Sequence, residues 1–289
     1  MKLRQALARA RGALVAAGIE DAPLEAELLL RHVLGASRVQ LYLDLDSPLG
    51  CEQEAELFRL VERRQKGEPS AYITGRREFY GLDFYVCPDV LIPRPESELL
   101  VEKAINLAQN GKITSVADIG TGCGAIAVSL AMNLPGAIIY AVDISAPALE
   151  VARANCRRHG VSDRVRLLAG DLLSPLPGPV DLIVANLPYV RQSELPPAGF
   201  EPLLALDGGP DGLAAIFRLC HQAAAGLSPG GDLLLEVGQG QAGTVAACLG
   251  SLFPQAQISV ATDLGGIERV VCLSLTPVGL DAKLSWALP

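Results

Sequence analysis

From Lys2 to about Gly67 the apolar positions recur at three- and four-residue steps: Leu3, Leu7, Ala10 and Leu14, then Leu24, Leu28 and His32, then Leu57, Leu60 and Val61. That period is helical, and it predicts a small helical domain in which Gly18, Gly35 and Gly50 act as helix stops. The pattern changes at Arg76 to Pro95, RREFYGLDFYVCPDVLIPRP. Phe79, Tyr80, Phe84, Tyr85 and Val86 surround Gly81 and predict a β-hairpin, although its turn is not of the Asn-Gly type. Pro93-Arg94-Pro95 is stiff and extended, which puts Glu96 and Glu98 at the start of a helix running to about Gln109. Acids suit a helix amino end, so capping alone explains both, and a further role stays open.

Beyond Ile113 short apolar runs at 113–119, 137–142, 165–169, 181–185 and 232–237 alternate with helical stretches that include 146–159 and 211–227. This alternation predicts an α/β fold, a mainly parallel sheet with helices on both faces. The last two runs, 257–262 and 269–275, are separated by a short link holding Gly265 and Gly266. A link that short makes a hairpin, so one end of the sheet is expected to be antiparallel. The chain is expected to divide into a helical domain at 1–73, a β-hairpin linker at 74–95 and the α/β domain at 96–289. The helical domain carries nothing catalytic, and its place ahead of the α/β domain makes it a candidate for substrate recognition.

Composition narrows the class. With 289 residues, half of them hydrophobic, the chain can bury sizeable cores and is not a disordered protein. No apolar run reaches the roughly 18 residues of a spanning helix, so no membrane partner is expected. The start has basic residues before an apolar stretch, as a signal peptide does. Arg9 and Arg11 interrupt it and Ala13 to Ile19 is short, so an amphipathic first helix is expected instead. The seven cysteines are widely spaced with no CxxC pair. That suits a reduced, cytoplasmic compartment and offers no metal site. His32, His159 and His221 are isolated and do not build a histidine-centred site. Net charge is −8, and all of the excess lies beyond residue 80, where 12 Lys and Arg face 20 Asp and Glu. Such an acidic domain suits a basic protein partner better than a phosphate backbone, so direct nucleic-acid binding is not expected.

Candidate chemistry gathers at the ends of the predicted strands. The first parallel strand closes in DIGTGCG, with Asp118, Gly120, Thr121, Gly122, Cys123 and Gly124 leading into the helical AIAVSLA. Glycines there let a ligand approach the backbone, and the helix supplies free N–H groups. Asp143 closes the next strand, where an acid can hold ribose hydroxyls, so the pair points to an adenosine-containing cofactor. The third glycine comes one residue too early for the dinucleotide fingerprint, which makes a nicotinamide cofactor the weaker reading. Asp171 or Leu172, after the third strand, would meet the adenine amino group of S-adenosyl-L-methionine. A plain surface acid explains Asp171 equally well.

The fourth parallel strand lies in DLIVANLPY, residues 181–189, an apolar run that Pro188 must end. Asn186 thereby sits at the sheet edge beside the cofactor crevice. Its side-chain carbonyl and the backbone carbonyl of Leu187 are two acceptors that can hold an NH2 group in line with a methyl sulfonium. Tyr189 can stack on the planar group bearing that nitrogen. No strong base is required, because near-attack positioning supplies up to about 7 to 11 kcal/mol. Any one of these residues alone would read as an ordinary strand end; their sequence on consecutive strands makes the site reading the stronger.

These segments together resemble the HemK/PrmC-type methyltransferases, which methylate the glutamine side-chain nitrogen (N5) of peptide chain release factors. GEPSAYITGRREFYGLDF and LIPRPESE look like that family's linker, DIGTGCGAIAVSLA like its cofactor loop, and DLIVANLPYV like its substrate motif. FEPLLALDGGPDGL, LSPGGDLLLEVGQGQ and DLGGIERVV are similar to its later segments, so the likeness spans nearly the whole chain. The resemblance implies a helical recognition domain, a seven-stranded Rossmann-like domain, S-adenosyl-L-methionine as donor and a Gly-Gly-Gln loop as acceptor. It departs at one place: Leu187 stands where the family has the first proline of Asn-Pro-Pro-Tyr. Pro188 still biases Leu187 toward an extended backbone, and weaker preorganisation of Asn186 is expected. Two other functions stay open, adenine-N6 methylation of nucleic acid and cofactor binding without turnover.

Overall fold

The computed structural model describes residues 1–110, 113–196 and 199–275; residues 276–289, the end of the expected α/β domain, lie outside them. The chain forms two compact units, Met1–Arg76 and a second from Arg77 onward.

The first unit holds α1 (Leu3–Ala16), α2 (Ala22–Leu34), α3 (Arg38–Leu43), α4 (Cys51–Gln65) and α5 (Ser70–Thr74). Its core takes Leu3, Ala6, Ala10 and Leu14 from α1, with Leu7 of the expected stripe only partly buried against it, and Leu57, Leu60 and Val61 from α4, the stripe expected there. The stripe expected on α2 is not the buried one. Ala22, Ala26, Leu29 and Leu30 are buried, whereas Leu24 is 54% exposed and His32 is also exposed. Three consecutive leucines at 28–30 allow two stripes to be drawn. The small Ala22 and Ala26 select the face, because they let α2 pack closely on α1, where Ala6 and Ala10 are fully buried. Gly35 ends α2 with a left-handed φ of 61°. Gly50 does the opposite of what was expected: it is the extended residue that starts α4, its N–H donating to Gln53 Oε1 at 3.2 Å. Glycine serves at either end of a helix, so composition alone does not separate the two.

The hairpin strands are β1 (Arg76–Phe79) and β2 (Leu82–Tyr85). Tyr80 and Gly81 between them both have positive φ, 51° and 73°, the signs of a type I′ turn. Tyr80 holds this conformation against its side-chain cost because its N–H donates to Glu98 Oε1 at 3.0 Å. After a 3-10 turn at Pro95–Ser97, α6 (Glu98–Asn110) begins.

Seven strands build the sheet: β3 (Ser115–Ile119), β4 (Ile138–Asp143), β5 (Val165–Ala169), β6 (Val180–Ala185), β7 (Leu227–Glu236), β8 (Gln257–Thr262) and β9 (Glu268–Ser274). Their order is β5-β4-β3-β6-β7-β9-β8. The first five are parallel, and β9 runs antiparallel to both β7 and β8. β7 starts well before the apolar run at 232, because Leu227 pairs with Val180 and the register then shifts to Asp232 on Leu182. Connecting helices are α7 (Ala125–Asn133), α8 (Ala146–Arg158), α9 (Ala214–Gly226) and α10 (Ala242–Leu252). Ala117, Ile119, Ile183, Ala185, Leu233 and Leu235 from the central strands form one core with Ile216 and Leu219 of α9. Chain order reverses at β3, which lies between β4 and β6, and a crevice opens there at the carboxyl ends of the strands.

Candidate functional site

At that crevice lies a cavity of about 400 Å³. Gly120 and Gly122 after β3, Asp143 at the end of β4, Asp171 and Leu172 after β5, and Asn186, Leu187 and Pro188 after β6 all line it. Thr121, Cys123, Gly124 and Tyr189 are not among the lining residues.

The glycine loop is shaped from behind. Gly120 and Thr121 both donate their N–H to the Val142 carbonyl at 2.9 Å, which turns the loop over the end of β4. Gly122 has a φ of 55°, and a β-carbon added there would meet nothing within 4 Å, so the backbone is open to the cavity. A β-carbon on Gly124 would lie 3.2 Å from that of Ala152, so this glycine keeps α7 close to α8. Thr121 and Cys123 face inward: the Thr121 hydroxyl donates to Asp118 Oδ2 at 2.6 Å, and Asn155 Nδ2 donates to the Cys123 carbonyl at 2.8 Å. Asp118 Oδ2 also accepts the Ala127 N–H at 3.1 Å, near the start of α7. Burial pushes the Asp118 carboxyl up to about 7, against the bonds from Thr121 and Ala127.

Asp143 accepts the Gly122 N–H on Oδ2 at 2.8 Å and the Ser145 N–H on Oδ1 at 2.9 Å. Burial raises its pKa and these backbone bonds oppose the rise. Each oxygen keeps a second lone pair for a ligand hydroxyl. Asp171 is ion-paired with Arg218, itself a lining residue, so the acid is a half-exposed partner on the rim. Leu172 has a left-handed φ of 49° and a buried side chain, which turns its backbone along the cavity wall.

At the end of β6, Asn186 Nδ2 donates to Ser97 Oγ at 2.8 Å. That bond faces the amide NH2 toward the protein, and Oδ1 takes no hydrogen bond among the described residues. Leu187 is buried in the core, and its Cδ2 would lie 3.2 Å from a β-carbon on Gly120, so it packs against the loop. Tyr189 is fastened at two points: its hydroxyl donates to Glu236 Oε1 at 3.4 Å and its carbonyl accepts from Gln241 Nε2 at 3.0 Å. Burial, with the Glu236 carboxylate, pushes its phenol up to about 12.

Three residues that shape the site carried no signal in the sequence reading. Ser97 lies between Glu96 and Glu98, where a serine reads as part of a helix cap. Asn155 lies within α8, and it also exchanges two bonds with the Tyr85 backbone, 2.8 and 2.9 Å long. Glu201 accepts the Ile92 N–H at 3.1 Å and the Arg94 guanidinium at 2.5 Å, which ties the segment carrying Val90 and Leu91 to the one carrying Pro202 and Leu204 across the cavity.

Against known proteins, the PrmC N-terminal domain model matches residues 5–75 and the methyltransferase small domain model matches residues 95–205. The release factor glutamine methyltransferase of Moorella thermoacetica is 44% identical over 93% of this chain and 97% of its own length. That of Geobacter sulfurreducens is also 44% identical, over 93% of this chain and 95% of its own. A methyltransferase structure from Pyrococcus furiosus, 20% identical, superposes with a TM-score of 0.51 over 68% of this chain and 89% of that one, a likeness of fold alone. On the identity and coverage of these relatives, this chain belongs to the release factor glutamine methyltransferase family.

Proposed function

We propose that this chain transfers a methyl group from S-adenosyl-L-methionine to the side-chain amide nitrogen of a glutamine, in the Gly-Gly-Gln loop of peptide chain release factors. One observation carries the reading: Asn186 stands at the cavity beside the glycine loop with its NH2 tied to Ser97 and its Oδ1 without a hydrogen bond among the described residues. A free carbonyl suits a substrate that brings N–H donors, and a primary amide brings two.

The residues present fit the cofactor. Gly120 and Gly122 leave room for its methionine end, with Thr121, Cys123 and Gly124 holding the loop's shape. Asp143 has the lone pairs for the ribose, and Asp171 and Leu172 stand where the adenine would lie. When bound, S-adenosyl-L-methionine supplies a methyl group on a positively charged sulfonium. Asn186 Oδ1 and the Leu187 carbonyl accept the two N–H groups of the glutamine amide, which fixes the nitrogen's direction. Pro188 keeps Leu187 extended, and Tyr189, tethered to Glu236 behind the cavity lining, anchors the segment that carries both acceptors. Methylation replaces one amide proton, which passes to solvent once the alkylated nitrogen has become strongly acidic, so no strong base is needed, and near-attack orientation can supply a large part of the acceleration.

The exposed Phe200, Leu203 and Leu204, next to the lining Pro202, give the cavity an apolar rim suited to a protein loop. The helical first unit is assigned to recognition of the release factor. Incubation with methyl-labelled S-adenosyl-L-methionine and either a release factor or DNA tests the assignment: label is expected in the protein alone. Label in DNA favours adenine methylation, and label in neither favours binding without turnover. In the same assay a chain lacking residues 1–70 is expected to lose turnover of the release factor; undiminished turnover removes the recognition role.

A further inference from the structure

We propose that Ser97, braced by Glu236, is a positioning residue that sets which end of the Asn186 amide faces the substrate. The inference rests on the glutamine reading and adds residues that do not touch the cavity.

The two ends of an asparagine amide have nearly the same size and opposite hydrogen-bonding sense. A site that needs the carbonyl forward must therefore make the reversed amide unfavourable. Ser97 is placed to do this. It is 3% exposed, and its Oγ accepts from Asn186 Nδ2 at 2.8 Å. A hydroxyl that accepts this bond still has its own proton to place. Glu236, 1% exposed, lies beside that hydroxyl, and its Oε2 is buried with no hydrogen-bond partner among the described residues, which makes it an acceptor to which the serine proton can turn. With the serine proton directed to Glu236, only lone pairs face Asn186. The reversed amide would then set Oδ1 against an oxygen with no proton between them, and would leave a buried lone pair unpaired. Glu236 Oε1 also accepts the Tyr189 hydroxyl at 3.4 Å, so one buried acid braces both polar residues of the ANLPY segment.

The brace depends on the charge of Glu236. Burial pushes its carboxyl up to about 7. The Ser97 and Tyr189 hydroxyls, with Arg269 on β9, favour the ionised form, and Glu96 ahead of α6 opposes it. Once protonated, Glu236 donates to Ser97 rather than accepting from it. The serine proton is then free to turn toward Asn186, and the preference for the forward carbonyl is lost. A glutamine amide does not titrate in this range, but Asp118 behind the glycine loop also protonates at about 7, so the part of an acid limb that reports the brace is the part lost in Glu236→Gln.

The test is turnover of a release factor with Ser97→Ala and Ser97→Thr. Ser97→Ala is expected to lower kcat roughly ten- to a hundredfold with S-adenosyl-L-methionine affinity unchanged, and Ser97→Thr to restore most of it. A Ser97→Ala enzyme with wild-type kcat, or a threonine variant as slow as the alanine one, overturns the proposal. Glu236→Gln supplies a second measurement should Ser97→Ala fold poorly. It is expected to lower kcat and to lessen the fall that the wild type shows below about pH 7; an unchanged kcat and limb overturn the proposal. If the wild type methylates no release factor glutamine, the functional reading itself fails and takes this inference with it.

Discussion

Leu187 stands where the resembled Asn-Pro-Pro-Tyr motif has its first proline, and its surroundings explain how a leucine is accommodated there. Its side chain is buried in the sheet core and packs against Gly120, so it serves as a wall for the glycine loop as well as a link in the ANLPY segment. A proline there would restrict Asn186 and remove part of that packing. Leu187→Pro is therefore expected to raise kcat while costing roughly 1–3 kcal/mol of stability. Steady-state kinetics beside a denaturant melt reads both, and an unchanged or lowered kcat contradicts the preorganisation argument. Asn186 was legible in the sequence because a polar residue followed by a proline closes an apolar run. Ser97 was not, because a serine among helix-capping acids looks like a cap; only the folded chain brings it across to Asn186.

The glycine loop shows how one element depends on others. Its inner face is held by Asp118 and Asn155, and Asn155 joins the loop to the hairpin through three hydrogen bonds. Asn155→Ala would leave the Cys123 carbonyl and the Tyr85 N–H and carbonyl short of a partner, at about 1–3 kcal/mol for a buried group. The expected result is a lower Tm together with weaker S-adenosyl-L-methionine binding, measured by calorimetry on the variant. Binding at wild-type strength would show that the loop keeps its shape unaided. The strands were readable because a parallel sheet buried on both faces writes itself as continuous apolar runs. The buried face of α2 was not, because alanines rather than leucines set its approach to α1, and a pattern of large apolar residues misses them.

At the scale of the molecule, two buried acids set how stability varies with pH. Asp118 and Glu236 both protonate at about 7 when folded, against ordinary values of 3.8 and 4.5. The folded chain therefore binds more protons than the unfolded one between those limits. Their contribution to stability is full below the unfolded values and is lost as pH rises through about 7. The Tm is expected to fall between about pH 5 and pH 7.5, and Glu236→Gln to flatten part of the fall; a Tm that rises with pH contradicts it. The α/β class and the antiparallel end were legible from strand lengths and connections alone, whereas these acids could not be told from surface carboxylates before burial was known. The central claim is that Asn186 orients a glutamine amide, and peptide mass mapping of a release factor after turnover tests it most directly. One added methyl is expected on the glutamine of the Gly-Gly-Gln loop with the wild type, and none with Asn186→Ala at equal cofactor occupancy; full methylation by Asn186→Ala, or a methyl on any other residue, would contradict the account.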